Sequence, residues 1–450
     1  MNIVILAAGM GKRMQSCLPK VLHKVAQKPM LHHVVDTAFA LNPTKLVVVV
    51  GHGAEQVKQS FNNSNICWAI QDKQLGTGHA LMQALPFLDI KVPTLVLYGD
   101  VPLIQEGTLK NLIQNAGENL GLLTAFYDNP KGYGRIIRQH GRIVAIVEEK
   151  DTDEDEKKIN EINTGIMVLP TSKLEVWLAG LKNTNSQGEY YLTDIIDSSV
   201  KDAIDVISTH PECGNWESFG VNSKVQLVEV ERYLQCHQAK KLLEQGVTLI
   251  DHERIDIRGT LTVEQDVLID VGCIFEGNVH LAQGVHLKPY CIIKDSTIGE
   301  NTVIESFSHL DSVKIAKNAS IGPYARLRPQ TELGNNVKVG NFVELKNTKI
   351  ADNSKVNHLS YIGDANIGKE VNIGAGVITC NYDGVNKHIT TIEDNVFIGS
   401  DCQLIAPVTI EKGATIGAGT TLTQNAPTEQ LTLSRIKQTT ISSWRKPVKK

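Results

Sequence analysis

The chain has 450 residues, enough for two or three domains that each bury their own core. Its formal net charge of −4 argues against a general nucleic-acid binder. It shows neither a signal-peptide pattern nor an apolar run near the ~20 residues that span a membrane, so we expect a cytoplasmic protein without membrane contacts. The eight cysteines form no CxxC pair and are expected to be free thiols.

Short aliphatic runs alternate with helical stretches through residues 1–222, which predicts an α/β sheet with helices on its faces. Ligands on such sheets gather at the carboxyl ends of the strands, so polar residues that follow a strand are candidates for a site. The predicted strands are residues 3–6, 46–50, 94–98, 121–125, 143–147 and 166–169.

The first strand leads into a glycine-rich turn, residues 7–14, which reads Ala-Ala-Gly-Met-Gly-Lys-Arg-Met, and Pro19-Lys20 follows. Glycines after a strand let backbone N–H groups approach an anion, and Arg13 and Lys20 add positive charge. A dinucleotide fingerprint would need a third glycine where Met14 stands. A Walker loop would need Ser or Thr where Arg13 stands.

This combination resembles the sugar-1-phosphate nucleotidylyltransferases, whose signature is Leu-x-x-Gly-x-Gly, an Arg-Met pair and then Pro-Lys. Many relatives carry Thr where this chain has Lys12. Asp100 directly follows an apolar strand, where a carboxylate can hold Mg²⁺ against phosphates. Further segments match in the same order along the chain, at residues 71–80, 132–135, 148, 163–165 and 220–222. The resemblance implies in-line attack of a sugar-1-phosphate on a nucleoside triphosphate, with Mg²⁺ on Asp100 and Asn222 and with Arg13 and Lys20 neutralising charge.

Residues 223–245 read as an amphipathic helix with Gly246 as its C-cap, and this helix is the predicted connector between domains. Beyond it an aliphatic residue recurs at every sixth position, for example from Ile315 to Leu345 and from Ile392 to Leu422, with an earlier run from Ile257 to Ile293. This period predicts a parallel β-helix of hexapeptide repeats over residues 247–425. Residues 426–450 form a basic tail, whose plainer interpretation is a loosely ordered terminus.

The repeat breaks between Ile373 and Ile392, and insertions in solenoids often border a binding site. His358 near this break could take a proton from an attacking amine, and Arg328 and Lys346 could hold a sugar phosphate. Each residue has a plainer interpretation, because a lone histidine at a coil corner is usually solvated and outward Arg and Lys usually only aid solubility.

The motifs of the solenoid resemble a narrower family, the bacterial bifunctional N-acetylglucosamine-1-phosphate uridyltransferase/glucosamine-1-phosphate acetyltransferases. They lie at residues 326–329, 340–346, 358–364, 372–376 and 380–384, and the resemblance covers nearly the whole chain. It implies a Rossmann-like mixed sheet at residues 1–222, a linker helix at 223–246 and a left-handed parallel β-helix at 247–425, followed by the tail.

The resemblance also implies a set of site residues. His358 would be the acetyl-transfer base, and Arg328, Lys346, Tyr361 and Asn372 would bind glucosamine-1-phosphate. Acetyl-CoA would lie against Ala375, Asn381, Tyr382, Ser400, Ala418 and Arg435. Because Arg435 lies past the last repeat, the resemblance implies that the tail folds back onto a coil, that of a neighbouring subunit. UTP and UDP-N-acetylglucosamine would be bound by fifteen residues: Leu6, Ala7, Ala8, Gly9, Lys20, Gln71, Gly76, Thr77, Tyr98, Gly99, Asp100, Gly134, Glu148, Asn163 and Asn222.

The implied enzyme acetylates glucosamine-1-phosphate from acetyl-CoA and then joins the product to UMP from UTP. Its product, UDP-N-acetylglucosamine, would feed peptidoglycan and, in Gram-negative organisms, lipopolysaccharide. The family implies a homotrimer with acetyltransferase sites between subunits. Two alternatives stay open, a single-activity nucleotidylyltransferase whose solenoid only oligomerises and an inactive regulatory subunit on the same folds. The presence of Arg13, Lys20 and Asp100 counts against the second alternative.

Overall fold

A computed structural model describes residues 1–63, 65–447 and 449, so positions 448 and 450 of the predicted tail lie outside the described residues. The chain divides into two compact units, Met1–Leu234 and Gln235–Lys450. Across the described ranges, no helix is both long enough and apolar enough to cross a bilayer.

The first unit is built on a nine-stranded mixed sheet with the central order β11-β7-β10-β6-β1-β4-β5. Strand β1 is parallel to β4 and β6, whereas β10 runs antiparallel to β6 and β7. All six predicted strands are present, and the short strands β5, β8 and β11 were not predicted. The strands of this unit are β1 Asn2–Ala7, β2 Lys24–Val25, β3 Lys28–Pro29, β4 Lys45–Val50, β5 Ile66–Ile70, β6 Thr94–Tyr98, β7 Leu120–Phe126, β8 Arg135–Gln139, β9 Arg142–Val147, β10 Glu161–Leu169 and β11 Val206–Thr209.

Helices cover the sheet because its central strands are apolar on both faces; every residue of β1 is buried. The α-helices are α1 Met30–Ala40, α2 Ala54–Gln59, α3 Thr77–Ala84, α4 Glu106–Ala116, α5 Thr171–Ala179, α6 Ile195–Lys201 and α7 Lys224–Glu244. Short 3₁₀ helices lie at Lys12–Met14, Lys20–Leu22, Leu85–Phe87, Glu156–Lys158, Leu192–Asp194 and Asn215–Ser218.

Helix α7 crosses the division between the units, and its predicted apolar face is present at Leu227, Val230 and Leu234. Val225 and Val228 are exposed, whereas Gln235 is buried. Gln235 tolerates burial because its side chain exchanges hydrogen bonds with the backbone of Ile257, at 2.9 and 2.7 Å. The predicted C-cap is confirmed. Gly246 has φ +89, and its N–H donates to the Leu243 carbonyl at 3.0 Å.

The second unit is a left-handed parallel β-helix most of whose coils pair at separations of 17 or 18 residues, as in Ile257 with Phe275 and Ile293 with Leu310. The predicted aliphatic positions stack inward, although Val263 is only partly buried. Ile298, Ile304 and Leu310 are also buried, so the repeat continues between the predicted runs that end at Ile293 and begin at Ile315.

The strands of the solenoid belong to two sheets. An 11-stranded sheet contains Thr248–Leu249, Leu268–Ile269, His286–Leu287, Val303–Ile304, Ser320–Ile321, Lys338–Asn341, Lys355–His358, Asn372–Ile373, Phe397–Ile398, Thr415–Ile416 and Leu431–Thr432. A 15-stranded sheet forms the remaining faces, with Ile255–Val263, Cys273–Leu281, Ile292–Lys294, Thr297–Ile298, His309–Asp311, Val313–Ile315, Arg326–Leu327, Thr331–Leu333, Glu344–Ile350, Tyr361–Ile367, Ile378–Cys380, Thr390–Ile392, Gln403–Ile405, Val408–Ile410 and Thr421–Leu422.

The predicted break is an extra loop between strands Ile378–Cys380 and Thr390–Ile392. We predicted from the sequence that the loop would begin at Thr379, but Thr379 occupies an inward position, where its hydroxyl accepts from the Gly363 N–H at 2.7 Å. Strand Leu431–Thr432 extends the solenoid past residue 425 by pairing with Thr415–Ile416. The four-segment division of the chain stays a prediction.

Candidate active sites

The first candidate site lies where β1 and β6 end side by side. Leu6 pairs with Tyr98, and the Gly99 N–H donates to the Leu6 carbonyl at 3.0 Å. The glycine-rich turn follows β1, and its Gly11 has φ +61, a left-handed conformation that favours glycine. A Cβ on Gly11 would lie 2.7 Å from the Cβ of Lys20. Gly11 therefore allows the turn to pass close beside Lys20.

Lys20, Asp100 and Asn222 converge although they are far apart in the sequence. The Lys20 ammonium donates to Asp100 Oδ2, and to Asn222 Oδ1 at 2.6 Å. The Val221 N–H donates to the Asp100 carbonyl at 2.9 Å, which fixes the segment of Asn222 beside that of Asp100. The structure thus brings together the predicted phosphate-binding lysine and the two predicted metal ligands.

The side chains of Asp100 and Asn222 fit Mg²⁺, because their carboxylate and amide oxygens are ligands that this ion accepts and they converge on one cationic nitrogen. Within the described ranges, no group of three or more His, Cys, Asp or Glu side chains is arranged to hold a metal. Mg²⁺ commonly takes one or two protein ligands and completes its shell with water and substrate phosphates. Asp100 and Asn222 are therefore sufficient protein ligands for it.

A cavity of about 310 Å³ adjoins this cluster. Ten of the predicted nucleotide-binding residues line it: Leu6, Ala7, Ala8, Gly9, Lys20, Gln71, Gly76, Thr77, Tyr98 and Asp100. Gln71 is buried, and its amide donates to the Gly76 carbonyl at 3.0 Å. Arg13 is exposed on the 3₁₀ helix Lys12–Met14 and does not line the cavity, and Lys12 beside it is also exposed.

A second group of predicted residues, Gly134, Glu148 and Asn163, lies near Tyr98. The Asn163 N–H donates to the Gly134 carbonyl at 2.8 Å, and Glu148 approaches Gly134 closely, since a Cβ there would lie 3.4 Å from its Oε2. Burial raises the pKa of the Glu148 carboxyl. Burial chiefly, and then the Glu148 charge, raises the pKa of Tyr98. Gly134, Glu148 and Asn163 therefore lie together near Tyr98 but do not line the cavity.

Sequence reasoning missed the segment that closes the cavity, Glu189–Tyr190. Glu189 lines the cavity, and the Gly78 N–H donates to the Tyr190 carbonyl at 2.9 Å. Gly76 has φ +108, and a Cβ there would lie 2.6 Å from the Tyr190 carbonyl oxygen. The segment follows neither a helical nor a strand period, so no pattern indicated that it would approach Gly76.

The second candidate site lies along one corner of the β-helix, where residues 290, 307, 324, 342, 359, 376 and 401 all have positive φ. His358 immediately precedes Leu359 of this corner and is exposed. Its Nδ1 contacts Asn341 Oδ1 at 2.8 Å, one coil below. Because an amide oxygen only accepts, Nδ1 carries the proton and Nε2 is left as the basic nitrogen.

The predicted sugar-phosphate residues divide between two sheets of the coil. Arg328 follows strand Arg326–Leu327, while Lys346 and Tyr361 lie in strands of the same 15-stranded sheet. Arg328 forms an ion pair with Glu344 at 2.9 Å. Asn372 belongs to the 11-stranded sheet. Within one chain it therefore lies on a different face of the coil from Arg328, Lys346 and Tyr361.

The inserted loop, residues 381–389, packs beside Lys346 and Tyr361. Asn381 is buried and donates to Asp364, and a Cβ on Gly363 would lie 2.5 Å from the Tyr361 hydroxyl. The ammonium of Lys346 lies close enough to Lys387 of the loop to lower the pKa of Lys387. Sequence reasoning did not single out Lys387.

Inside the loop, Asp383 accepts from the Val385 and Asn386 N–H groups, at 2.8 and 2.7 Å, and contacts His388 at 2.7 Å. These hydrogen bonds and the His388 charge hold the pKa of the Asp383 carboxyl well below its usual range. The loop therefore has a defined conformation of its own.

The predicted acetyl-CoA residues also form two groups. Ala375, Ser400 and Ala418 follow one another up the corner, because the Asp401 N–H donates to the Ala375 carbonyl at 2.7 Å and the Gly419 N–H to the Ser400 carbonyl at 2.8 Å. The Arg435 guanidinium donates to the Ala418 carbonyl of its own chain at 3.3 Å, so the tail begins on its own last coil. Asn381 and Tyr382 lie in the loop.

Family models match both units. The model described as a MobA-like NTP transferase domain matches residues 3–161, the GMPPB C-terminal domain matches 309–386, and six bacterial transferase hexapeptide repeats match 389–424.

Curated relatives match the chain from end to end. A bifunctional protein GlmU from Cupriavidus metallidurans is 61% identical over 100% of this chain and 99% of its own length. GlmU proteins from Herminiimonas arsenicoxydans and Ralstonia nicotianae are 58% and 57% identical with the same coverage. Identity at this level over both units, together with two separate constellations of site residues, shows that the chain belongs to the family of bifunctional GlmU proteins.

Proposed function

We propose that Lys20, Asp100 and Asn222 form the centre of the uridyltransferase, the activity of the first unit. Their convergence at the edge of the nucleotide-sized cavity carries this assignment. An oxygen of N-acetylglucosamine-1-phosphate attacks the α-phosphorus of UTP, and pyrophosphate leaves. Mg²⁺ bound by Asp100 and Asn222 supplies positive charge to the phosphates. Lys20 and Arg13 neutralise further phosphate charge, and Gln71, Gly76 and Thr77 hold the nucleotide.

The acetyltransferase of the second unit uses His358 as its general base in this proposal. The amine of glucosamine-1-phosphate attacks the thioester carbon of acetyl-CoA, the C–S bond breaks, and CoA leaves as its thiolate. His358 Nε2 takes the proton from the amine, because Asn341 holds the other ring nitrogen as a donor. Arg328, Lys346 and Tyr361 hold the sugar phosphate. Release of CoA from acetyl-CoA in the presence of glucosamine-1-phosphate, measured without UTP, tests this half of the function.

Lys387 is expected to bind the same phosphate, since two adjacent ammonium groups, those of Lys346 and Lys387, otherwise repel each other. Replacing Lys387 by Met should raise the KM for glucosamine-1-phosphate about tenfold, the effect of one charge-assisted hydrogen bond. The KM for acetyl-CoA should stay unchanged. Lys369→Met, at an exposed position outside the loop, is the matched control. An unchanged KM for the sugar phosphate in Lys387→Met would remove Lys387 from the site.

The hexapeptide domain serves oligomerisation, and we infer a homotrimer with acetyltransferase sites between subunits. Support comes from the aromatic corner, which we define as Tyr290, Phe307, Tyr324 and Phe342. Their rings stack at centroid distances of 5.2, 5.0 and 5.3 Å and stay about half exposed. One chain leaves about half of each ring exposed, so the corner presents a continuous apolar stripe that a neighbouring subunit would cover.

Charges on the aromatic corner should therefore dissociate the assembly. The double variant Tyr324→Asp/Phe342→Asp is expected to sediment as a monomer, because two carboxylates would be buried in the interface. It should lose most acetyl transfer and keep uridyl transfer. Ile250→Asp, at another exposed apolar position of the solenoid, is the control. A double variant that sediments like the unmodified protein would show that subunits do not meet at this corner.

The proposal places the enzyme in the cytoplasm, where UTP and acetyl-CoA are available. Its product, UDP-N-acetylglucosamine, supplies peptidoglycan and, in Gram-negative organisms, lipopolysaccharide. Nothing in this function calls for contact with nucleic acid or a membrane.

A further inference from the structure

His23 is a buried histidine close to the uridyltransferase centre that the reaction does not use. It follows the 3₁₀ helix Lys20–Leu22, and its N–H donates to the Lys20 carbonyl at 3.3 Å. Only 6% of its surface is exposed. Its carbonyl accepts from the Met30 N–H at 2.9 Å, so its backbone is held on both sides.

The His23 side chain meets Lys224, the first residue of α7. The Lys224 ammonium lies 3.1 Å from His23 Nδ1, and because an ammonium only donates, the ring must accept there. Burial chiefly, and then the Lys224 charge, lowers the pKa of His23, which agrees with a neutral ring. A second contact lies further along, where Glu231 accepts from the Ala26 N–H at 2.6 Å.

These contacts join the two segments that carry the metal-site residues. Lys20 lies three residues before His23, and Asn222 lies two residues before Lys224. Gln226 of α7 accepts from the Asn222 N–H at 2.8 Å, so the position of Asn222 depends on where the helix begins. Beneath the contact, Met14, Val25 and Met30 pack against Val221 and Val230.

We propose that His23 and Lys224 are a positioning pair for the uridyltransferase, which fixes the start of α7 and hence holds Asn222 opposite Lys20 and Asp100. The pair touches no substrate. This inference rests on the proposed metal-binding role of Asn222. Apolar contacts hold the helix in place without direction, whereas the hydrogen bonds of Lys224 to His23 and of Glu231 to Ala26 join defined atoms and so set its position.

His23→Leu and Lys224→Met should each raise the Mg²⁺ concentration for half-maximal uridyl transfer about tenfold, the usual effect of losing a contact that orients a metal ligand. Acetyl transfer should be unchanged. Calorimetry provides a readout apart from turnover: Mg²⁺ should strengthen UTP binding less in both variants than in the unmodified protein, while UTP binding without metal should stay the same. A merely structural loss would weaken UTP binding with and without metal alike.

His23→Asn is the conservative variant, because its amide oxygen can accept from Lys224 near the place of Nδ1, and it should restore most of the Mg²⁺ response. Lys28→Met is the matched control, since Lys28 lies on the same hairpin but pairs with Asp36 at the surface. It should behave like the unmodified protein. If His23→Leu does not fold, Lys224→Met and His23→Asn still decide the question.

An unchanged Mg²⁺ requirement in Lys224→Met, or a His23→Asn variant as impaired as His23→Leu, would overturn the positioning role. Asn222→Ala separates this outcome from failure of the proposed function. If Asn222→Ala keeps the normal Mg²⁺ requirement, the metal-site assignment itself is wrong.

Discussion

Replacement of His358 by alanine is expected to lower the release of CoA from acetyl-CoA, with glucosamine-1-phosphate as the acceptor, by about 10²–10⁴-fold, the usual contribution of a general base. Nε2 of His358 is the basic nitrogen, because Nδ1 is engaged with Asn341 at 2.8 Å. Without that base, the amine must lose its proton to water as it attacks the thioester. Uridyl transfer should be unchanged, since no predicted UTP-binding residue lies in the solenoid. The measurement is the rate of thiol release at saturating acetyl-CoA, with pyrophosphate release followed separately.

His286→Ala provides the control for this variant, because His286 is also an outward histidine of the 11-stranded sheet but lies several coils away. It should acetylate at the normal rate. Equal losses in both histidine variants, or normal CoA release in His358→Ala, would refute the base assignment.

The Asp100→Ala variant should show the opposite pattern. It removes a metal ligand and leaves the Lys20 ammonium without its carboxylate partner, so uridyl transfer should fall on the order of a hundredfold or more. Acetyl transfer should stay normal. Pyrophosphate release from UTP and N-acetylglucosamine-1-phosphate at saturating Mg²⁺ gives the rate.

Asp205→Ala is the control in the same unit, because Asp205 is exposed and its carboxylate faces Arg142 at 3.8 Å, at the surface. Loss of both activities in a folded Asp100→Ala protein would contradict two separate sites. A normal rate of uridyl transfer would remove Asp100 from the reaction.

The fold was largely predictable because its strongest signals are periodic. The six-residue repeat reflects inward stacking in successive coils, and it extends to Ile298, Ile304 and Leu310, which lie between the predicted runs. Strands β8 and β11 were missed because both are partly exposed and lack a continuous apolar run. The burial of Gln235 in the middle of α7 could not be predicted, because a sequence does not reveal that this side chain will be satisfied by the Ile257 backbone.

The sites were predictable only where a motif names the residue. Motifs located Lys20, Asp100 and Asn222, and the structure shows that their side chains meet. No motif indicated that Glu189 would close the nucleotide cavity or that Lys387 would lie beside Lys346. Such residues reach a site through loops, whose path depends on tertiary contacts and not on local periodicity.

The central claim is that one chain performs two reactions in sequence at separate sites. The most direct test supplies glucosamine-1-phosphate, acetyl-CoA, UTP and Mg²⁺ and records CoA and pyrophosphate separately. We predict that CoA release precedes pyrophosphate release, that omitting acetyl-CoA abolishes both, and that omitting UTP abolishes only pyrophosphate. Pyrophosphate release from UTP with glucosamine-1-phosphate in the absence of acetyl-CoA would contradict the account, and so would the absence of any CoA release.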